Sequence, residues 1–85
     1  MRDPHGRVRI RLMSQADVME FIHALSNCEA RFSIENRSGI HRVNAKSVIG
    51  VMYTTFDFPD EMYLVNEDAA GDIPASVDRF RVQTA

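Results

Sequence analysis

The sequence predicts an α+β fold: an open-faced two-layer sandwich in which a four-stranded antiparallel sheet carries two or three helices on one face. Three observations predict it. Short stretches alternate apolar and polar residues with a period of two. Longer stretches between them repeat apolar residues at i, i+3, i+4 and i+7. The two patterns succeed one another in the order β-α-β-β-α-β-(α). Strands with one polar face and helices with one apolar stripe bury their apolar sides against each other, which gives two layers.

Arg7-Val8-Arg9-Ile10-Arg11-Leu12 alternates strictly, so Val8, Ile10 and Leu12 point inward and the three arginines form an exposed stripe. Ser14-Gln15-Ala16-Asp17 reads as a helix start, with Ser14 accepting from the third helical amide and Asp17 complementing the positive end of the dipole. The helix should run to about Asn27, with Val18, Phe21, Ile22 and Leu25 as its apolar stripe and His23 on the flank. Arg31 to Glu35 is a second strand, with Phe32 and Ile34 inward, followed by the turn signal Asn36-Arg37-Ser38-Gly39. A third strand, about Ile40 to Asn44, returns antiparallel and delivers the chain to a second helix at Ala45 to Thr54.

In that second helix Val48, Val51, Met52 and Thr55 outline the inward stripe, while Ile49 and Met52 approach a more exposed flank. Gly50 costs about 1 kcal/mol of helix propensity relative to Ala, so close packing is expected to offset it. Asp57-Phe58-Pro59-Asp60-Glu61 breaks the helix. Glu61 to Asn66 then alternates as a fourth strand, with Met62 and Leu64 inward and Tyr63 and Val65 on the side of the arginines. Asp72 as N-cap, Pro74 near the first turn, and Ile73, Val77 and Phe80 at i, i+4 and i+7 predict a short third helix.

The 85 residues are read as a single domain, 1–85, with no repeat or linker. Ten basic and twelve acidic residues give a net charge of −2, which speaks against a nucleic-acid arm or a polybasic membrane binder. Basic residues predominate up to Lys46 and acidic residues after it. A two-sided surface is therefore expected, better suited to a protein partner than to a nucleic acid. The single cysteine, Cys28, has no partner for an intramolecular disulfide and points to a reducing compartment. No apolar run approaches bilayer length, and the charged amino terminus lacks a signal-peptide core, so the expected location is cytoplasmic. His5, His23 and His41 are scattered, with His5 in a leader segment. No metal-ligand spacing, P-loop or dinucleotide fingerprint stands out, so no metal and no cofactor is expected. Asp57, Asp60 and Glu61 read as a solvated turn.

Val43-Asn44-Ala45-Lys46-Ser47-Val48-Ile49-Gly50-Val51-Met52 resembles the histidine-containing phosphocarrier (HPr) family of the bacterial sugar phosphotransferase system. A weaker resemblance spans roughly residues 7 to 66, and the order of elements agrees with an HPr-like open-faced β-sandwich. The resemblance implies an active-site motif Gly-Leu/Ile-His-Ala-Arg-Pro-Ala at the start of the first helix. There this chain has Leu12-Met13-Ser14-Gln15-Ala16-Asp17, with Ser14 or Gln15 in the histidine slot and no matching Arg or Pro. A phosphocarrier imidazole needs an exposed nitrogen, helix-terminal amides and an arginine beside the transferred group, and Ser14, Gln15 and Asp17 do not supply them. Gly39-Ile40-His41 imitates the motif in the wrong place, after the first helix and without Ala-Arg-Pro following it.

The resemblance further implies that Ser47 matches a serine modified by a dedicated kinase in Gram-positive members; a capping role for the same residue is the alternative. It implies that Ile49 and Met52 occupy positions from which the family presents apolar side chains to partners; incomplete core burial is the alternative. Paralogues with glutamine in the histidine slot exist in the family. The expected function is therefore an HPr-like regulatory or protein-binding module without the normal histidine phosphocarrier activity; its partner is expected to be a protein whose identity the sequence leaves open, with a serine kinase and sugar phosphotransferase components as candidates. Two alternatives stand beside it: a divergent phosphocarrier using another residue, and a structural homo-oligomer pairing through a sheet face that includes Tyr63 and Val65.

Overall fold

A computed structural model describes residues 6–69 and 71–82. The elements are β1 (Val8–Ile10), α1 (Gln15–Ser26), β2 (Phe32–Glu35), β3 (Arg42–Asn44), α2 (Val48–Asp57), β4 (Met62–Asn66) and a closing 3₁₀ helix (Ala75–Phe80). The four strands form one antiparallel sheet in the order β1-β4-β2-β3. This is the expected α+β open-faced sandwich, consistent with an HPr-like arrangement, with the helices covering one side.

Register carries the alternation of each strand across the sheet. Val8 pairs with Leu64, Leu64 with Ile34 and Ile34 with Val43, so one apolar row crosses all four strands, and Ile10 opposite Met62 adds to the same face. Against these lie Val18, Phe21 and Leu25 of α1, Val51 of α2, and Val77 and Phe80 of the closing helix, all buried. Phe21 meets Phe80 edge to face, with ring centroids 5.7 Å apart. Each fully buried side chain of this kind contributes about 1.5–3 kcal/mol. Among the described residues no helix is long and apolar enough to cross a membrane.

Several boundaries differ from the sequence reading, each for a local reason. The β1 ladder covers Val8–Ile10 rather than Arg7 to Leu12, although Leu12 is buried as expected. The outer edge of β1 is covered by chain from beyond the closing helix: Arg11 N–H donates to the Phe80 carbonyl and Val82 N–H to that of Arg9. β3 starts at Arg42, not Ile40, because the Asn36 side chain accepts from Gly39 N–H at 3.0 Å and His41 N–H at 3.4 Å and holds Ile40 and His41 in the turn. Gly39 makes that turn with φ near +79°, a conformation open to glycine.

α2 begins at Val48 and ends at Asp57, displaced from the expected Ala45 to Thr54. The Asn44 side chain accepts from Lys46 N–H at 2.8 Å, and the Asn44 carbonyl from Ser47 N–H at 3.0 Å, which fixes a turn at Ala45 and Lys46 ahead of the helix. The buried stripe is correspondingly rotated: Val51 and Thr54 are inside, Met52 and Thr55 half-buried, and Val48 exposed. A buried threonine escapes an apolar-pattern reading, but its Oγ1 donates to the Gly50 carbonyl at 2.9 Å and so costs no unpaired hydroxyl. Gly50 packs as anticipated: a Cβ at that position would lie 3.3 Å from the Cβ of Val43. The closing helix is 3₁₀ and starts after Pro74 without a side-chain cap. Asp72 is therefore no N-cap; its carbonyl accepts from the Asn66 side chain at 2.8 Å.

Candidate protein-interaction site

Two surfaces and two helix ends hold the residues on which function was expected to rest. At the amino end of α1, Ser14 is extended and its Oγ accepts from Asp17 N–H at 3.1 Å. The Asp17 carboxylate turns back to accept from Met13 N–H at 2.9 Å. The Ser14 hydroxyl thus engages one first-turn amide, that of Asp17, the Asp17 carboxylate engages the amide of Met13 ahead of the cap, and Asp17 adds a negative charge there. Gln15 is exposed beside them. His23 lies at the other end of the helix, about 12 Å further along at 1.5 Å per residue. His41 sits in the turn before β3, its ring 5.2 Å from that of Phe58. His5 lies outside the described residues.

At the amino end of α2, Ser47 is the N-cap, the capping role that the sequence left open beside modification. Its Oγ accepts from Gly50 N–H at 3.3 Å, and the side chain is half-buried. The neighbouring Lys46 reaches in the opposite direction, its Nζ donating to the carbonyls of Cys28 at 2.6 Å and Ala30 at 2.9 Å. That lysine ties the chain leaving α1 to the entry of α2, a role nothing in its sequence context announced.

The outer face of α2 is the largest departure from an ordinary surface. Ile49 is 82% exposed, Phe56 79% and Tyr53 55%, with Val48 exposed and Met52 half-buried beside them. Single exposed apolar residues are normal; four on one face of a ten-residue helix, with a half-buried fifth among them, are not. No charged residue occurs from Val48 to Phe56. Asp57 follows, and the Tyr53 hydroxyl donates to it, which raises the Tyr53 pKa above its ordinary value near 10.0. The sequence reading singled out Ile49 and Met52 and missed Tyr53 and Phe56. Their spacing of four and seven from Ile49 was the available signal.

The open face of the sheet contrasts with this. It was expected to be a wet arginine stripe, yet Ser33 and Glu35 are buried and the Arg7 side chain is only 10% exposed. Arg7 Nη1 donates to Glu35 Oε1 at 3.0 Å and to the carbonyls of Asn36 and Arg37, and its guanidinium lies 4.5 Å from the Tyr63 ring. Arg42 binds Glu35 Oε2 from two nitrogens, at 3.2 and 2.9 Å, and Glu67 from the third. Arg11 remains on the surface, paired with Asp60. Between Arg7, Glu35, Arg37 and Arg42 runs a shallow cleft of about 360 Å³.

The expected electrical two-sidedness is not realised. Arg11 pairs with Asp60, Arg31 with Asp68, Arg37 with Glu61 and Arg42 with Glu67, so basic residues of the first half meet acids of the second. Asp60 and Glu61 of the expected solvated turn are both engaged in this way. The Arg31 side chain, aided by the Arg31 backbone N–H, holds the Asp68 carboxyl below its usual range. Among the described residues no three His, Cys, Asp or Glu side chains group closely enough to hold a metal ion. Compared with known protein families, curated proteins and solved structures, the chain matches none.

Proposed function

We propose that this protein is an HPr-like regulatory or protein-binding module that lacks the normal histidine phosphocarrier activity and meets its partner through the outer face of α2. The observation that carries this reading is the uncharged apolar surface of Ile49, Tyr53 and Phe56, flanked by Val48 and Met52, on a helix otherwise well packed. Surfaces of this composition become stable when another protein covers them, with aromatic side chains as anchors.

The amino end of α1 supports the second half of the reading. Phosphoryl transfer through an imidazole needs that nitrogen to stand where donors stabilise the charge in flight. Here Asp17 sets a carboxylate at that helix end, its own N–H is taken by Ser14, and both described histidines lie elsewhere. Ser47 is the residue through which a serine kinase would act. A phosphate on its Oγ would stand at the amino end of α2, with amides and the helix dipole favouring it, directly beside Val48 and Ile49. Modification would then add charge at the edge of the docking surface.

The test is incubation with phosphoenolpyruvate and the first enzyme of the sugar phosphotransferase system, followed by mass spectrometry under conditions that preserve phosphohistidine. Calorimetric titration with the system's other components runs in parallel. The reading expects binding that is lost in Ile49→Asp, and no phosphohistidine. Acid-labile, alkali-stable phosphate on any histidine would overturn it in favour of a divergent carrier.

A further inference from the structure

The outer face of α2 is complementary to itself. Ile49 and Phe56 lie symmetrically about the midpoint between Met52 and Tyr53, and so do Val48 and Asp57. A second copy laid antiparallel across this helix, with the two-fold axis at that midpoint, puts Ile49 opposite the other copy's Phe56. It sets Met52 and Tyr53 astride the axis and brings Asp57 to the level of the other copy's first turn. We propose that the protein forms a two-fold dimer through antiparallel packing of α2 against α2. This rests on the reading of the outer face of α2 as the docking surface and names its occupant.

Charge selects this occupant. α2 has no acid in its first turn and no base in its last, so its dipole is uncompensated at both ends, and Asp57 places a negative charge at the end that is already negative. In the antiparallel pair each Asp57 approaches the positive amino end of the other helix and the two dipoles oppose, so both unfavourable features are relieved at once. The absence of charge from Val48 to Phe56 removes the like-charge repulsion that an isologous contact would otherwise create.

The area is consistent with a reversible dimer. Ile49, Tyr53 and Phe56, with parts of Val48 and Met52, present roughly 500 Å² of apolar surface per copy, at up to about 150–250 Å² for each aromatic side chain. Covering both faces removes on the order of 1,000 Å² from water, the lower limit for a specific interface. Area alone does not set affinity, and for so small a contact we take a weak association, with a dissociation constant on the order of 10 µM, as the expectation.

Sedimentation velocity over a loading series from about 1 µM to 1 mM, which brackets that constant, tests the proposal on the full chain. Wild type should shift from monomer to dimer and no further, because a two-fold contact closes. Ile49→Asp should raise the dissociation constant roughly hundredfold or more by burying an unpaired carboxylate against the other copy's Phe56. Its own fold is not threatened, since position 49 is exposed and an acid in the first turn suits the dipole. Asp57→Lys should weaken the dimer about tenfold while raising the thermal midpoint of the monomer, a combination that a purely structural role of Asp57 would not give. Wild type that stays monomeric throughout, Ile49→Asp that still dimerises, or Asp57→Lys that dimerises more tightly would each overturn the antiparallel pair. Monomeric wild type that still binds a phosphotransferase component through Ile49 would sink the second copy alone and leave the docking surface standing.

Discussion

The two exterior faces of this sandwich invert the ordinary rule. The open side of the sheet is rich in charged and polar residues, yet its centre is buried: Ser33 is enclosed, and Glu35 lies between Arg7 and Arg42 with both carboxylate oxygens engaged. The outer face of α2 is built from apolar and aromatic residues, yet it is exposed. The first surface is largely closed on itself: Glu35 finds its counter-charges in Arg7 and Arg42, although the buried Nε of Arg9 has no hydrogen-bond partner among the described residues. The second is incomplete, because nothing in the described residues covers it. What the outer face of α2 leaves unsatisfied is hydrophobic burial.

The comparison can be broken most forcefully at Glu35. Glu35→Gln leaves two arginines without their shared counter-charge and should cost about 3 kcal/mol, read from urea unfolding, as expected for breaking a buried ionic cluster. Phe56→Ser on the other face should change monomer stability by no more than about 0.5 kcal/mol. Equal costs would dissolve the distinction between a finished and an unfinished face.

Next in size, Gly50→Val should destabilise by about 1–3 kcal/mol, since the new side chain must push α2 away from Val43. Ser47→Ala removes the cap of α2 and should cost about 1 kcal/mol. Both act on the inner and terminal contacts of the helix. If neither altered unfolding, the view that α2 is held from within while its outer face stays free would fail.

The smallest effect is a pH dependence confined to the sheet side. Asp68 is held below its usual carboxylate range by Arg31, so the stability it contributes is fully present above the unfolded-state pKa and lost as pH falls toward the lowered folded value. The difference in urea midpoint between wild type and Asp68→Asn should therefore hold from neutral pH to about pH 5 and shrink below about pH 4. A difference that grew on acidification would reverse the assigned sign.

Much of this was legible in the sequence because period and capping chemistry are local. Val18, Phe21 and Leu25 announced the buried side of α1, and Ser14 its cap, within a window of twelve residues. The inward sets Phe32 with Ile34 and Met62 with Leu64 followed from alternation alone. What was not legible depends on long-range geometry. Burial of Glu35 requires Arg7 and Arg42 to arrive from β1 and β3, which no local pattern encodes. Cover for the outer edge of β1 comes from residues that read as a helix and tail. The start of α2 was misplaced because Asn44, through its side-chain bond to Lys46 N–H, imposes a turn where the apolar pattern continues without a break. Of the interaction surface, Ile49 and Met52 were seen through a resemblance. Tyr53 lay inside the expected helix but off the stripes assigned to it, and Phe56 joined it only once the helix was known to run past Thr54.

The most direct test of the claim that α2 packs against α2 of a second copy is a dilution series of ¹H–¹⁵N spectra on the wild-type protein. The account predicts that amide shifts of Ile49, Met52, Tyr53 and Phe56 move with concentration while those of Ser33, Glu35 and Tyr63 stay fixed. Movement on the sheet side instead, or no movement anywhere, would contradict it.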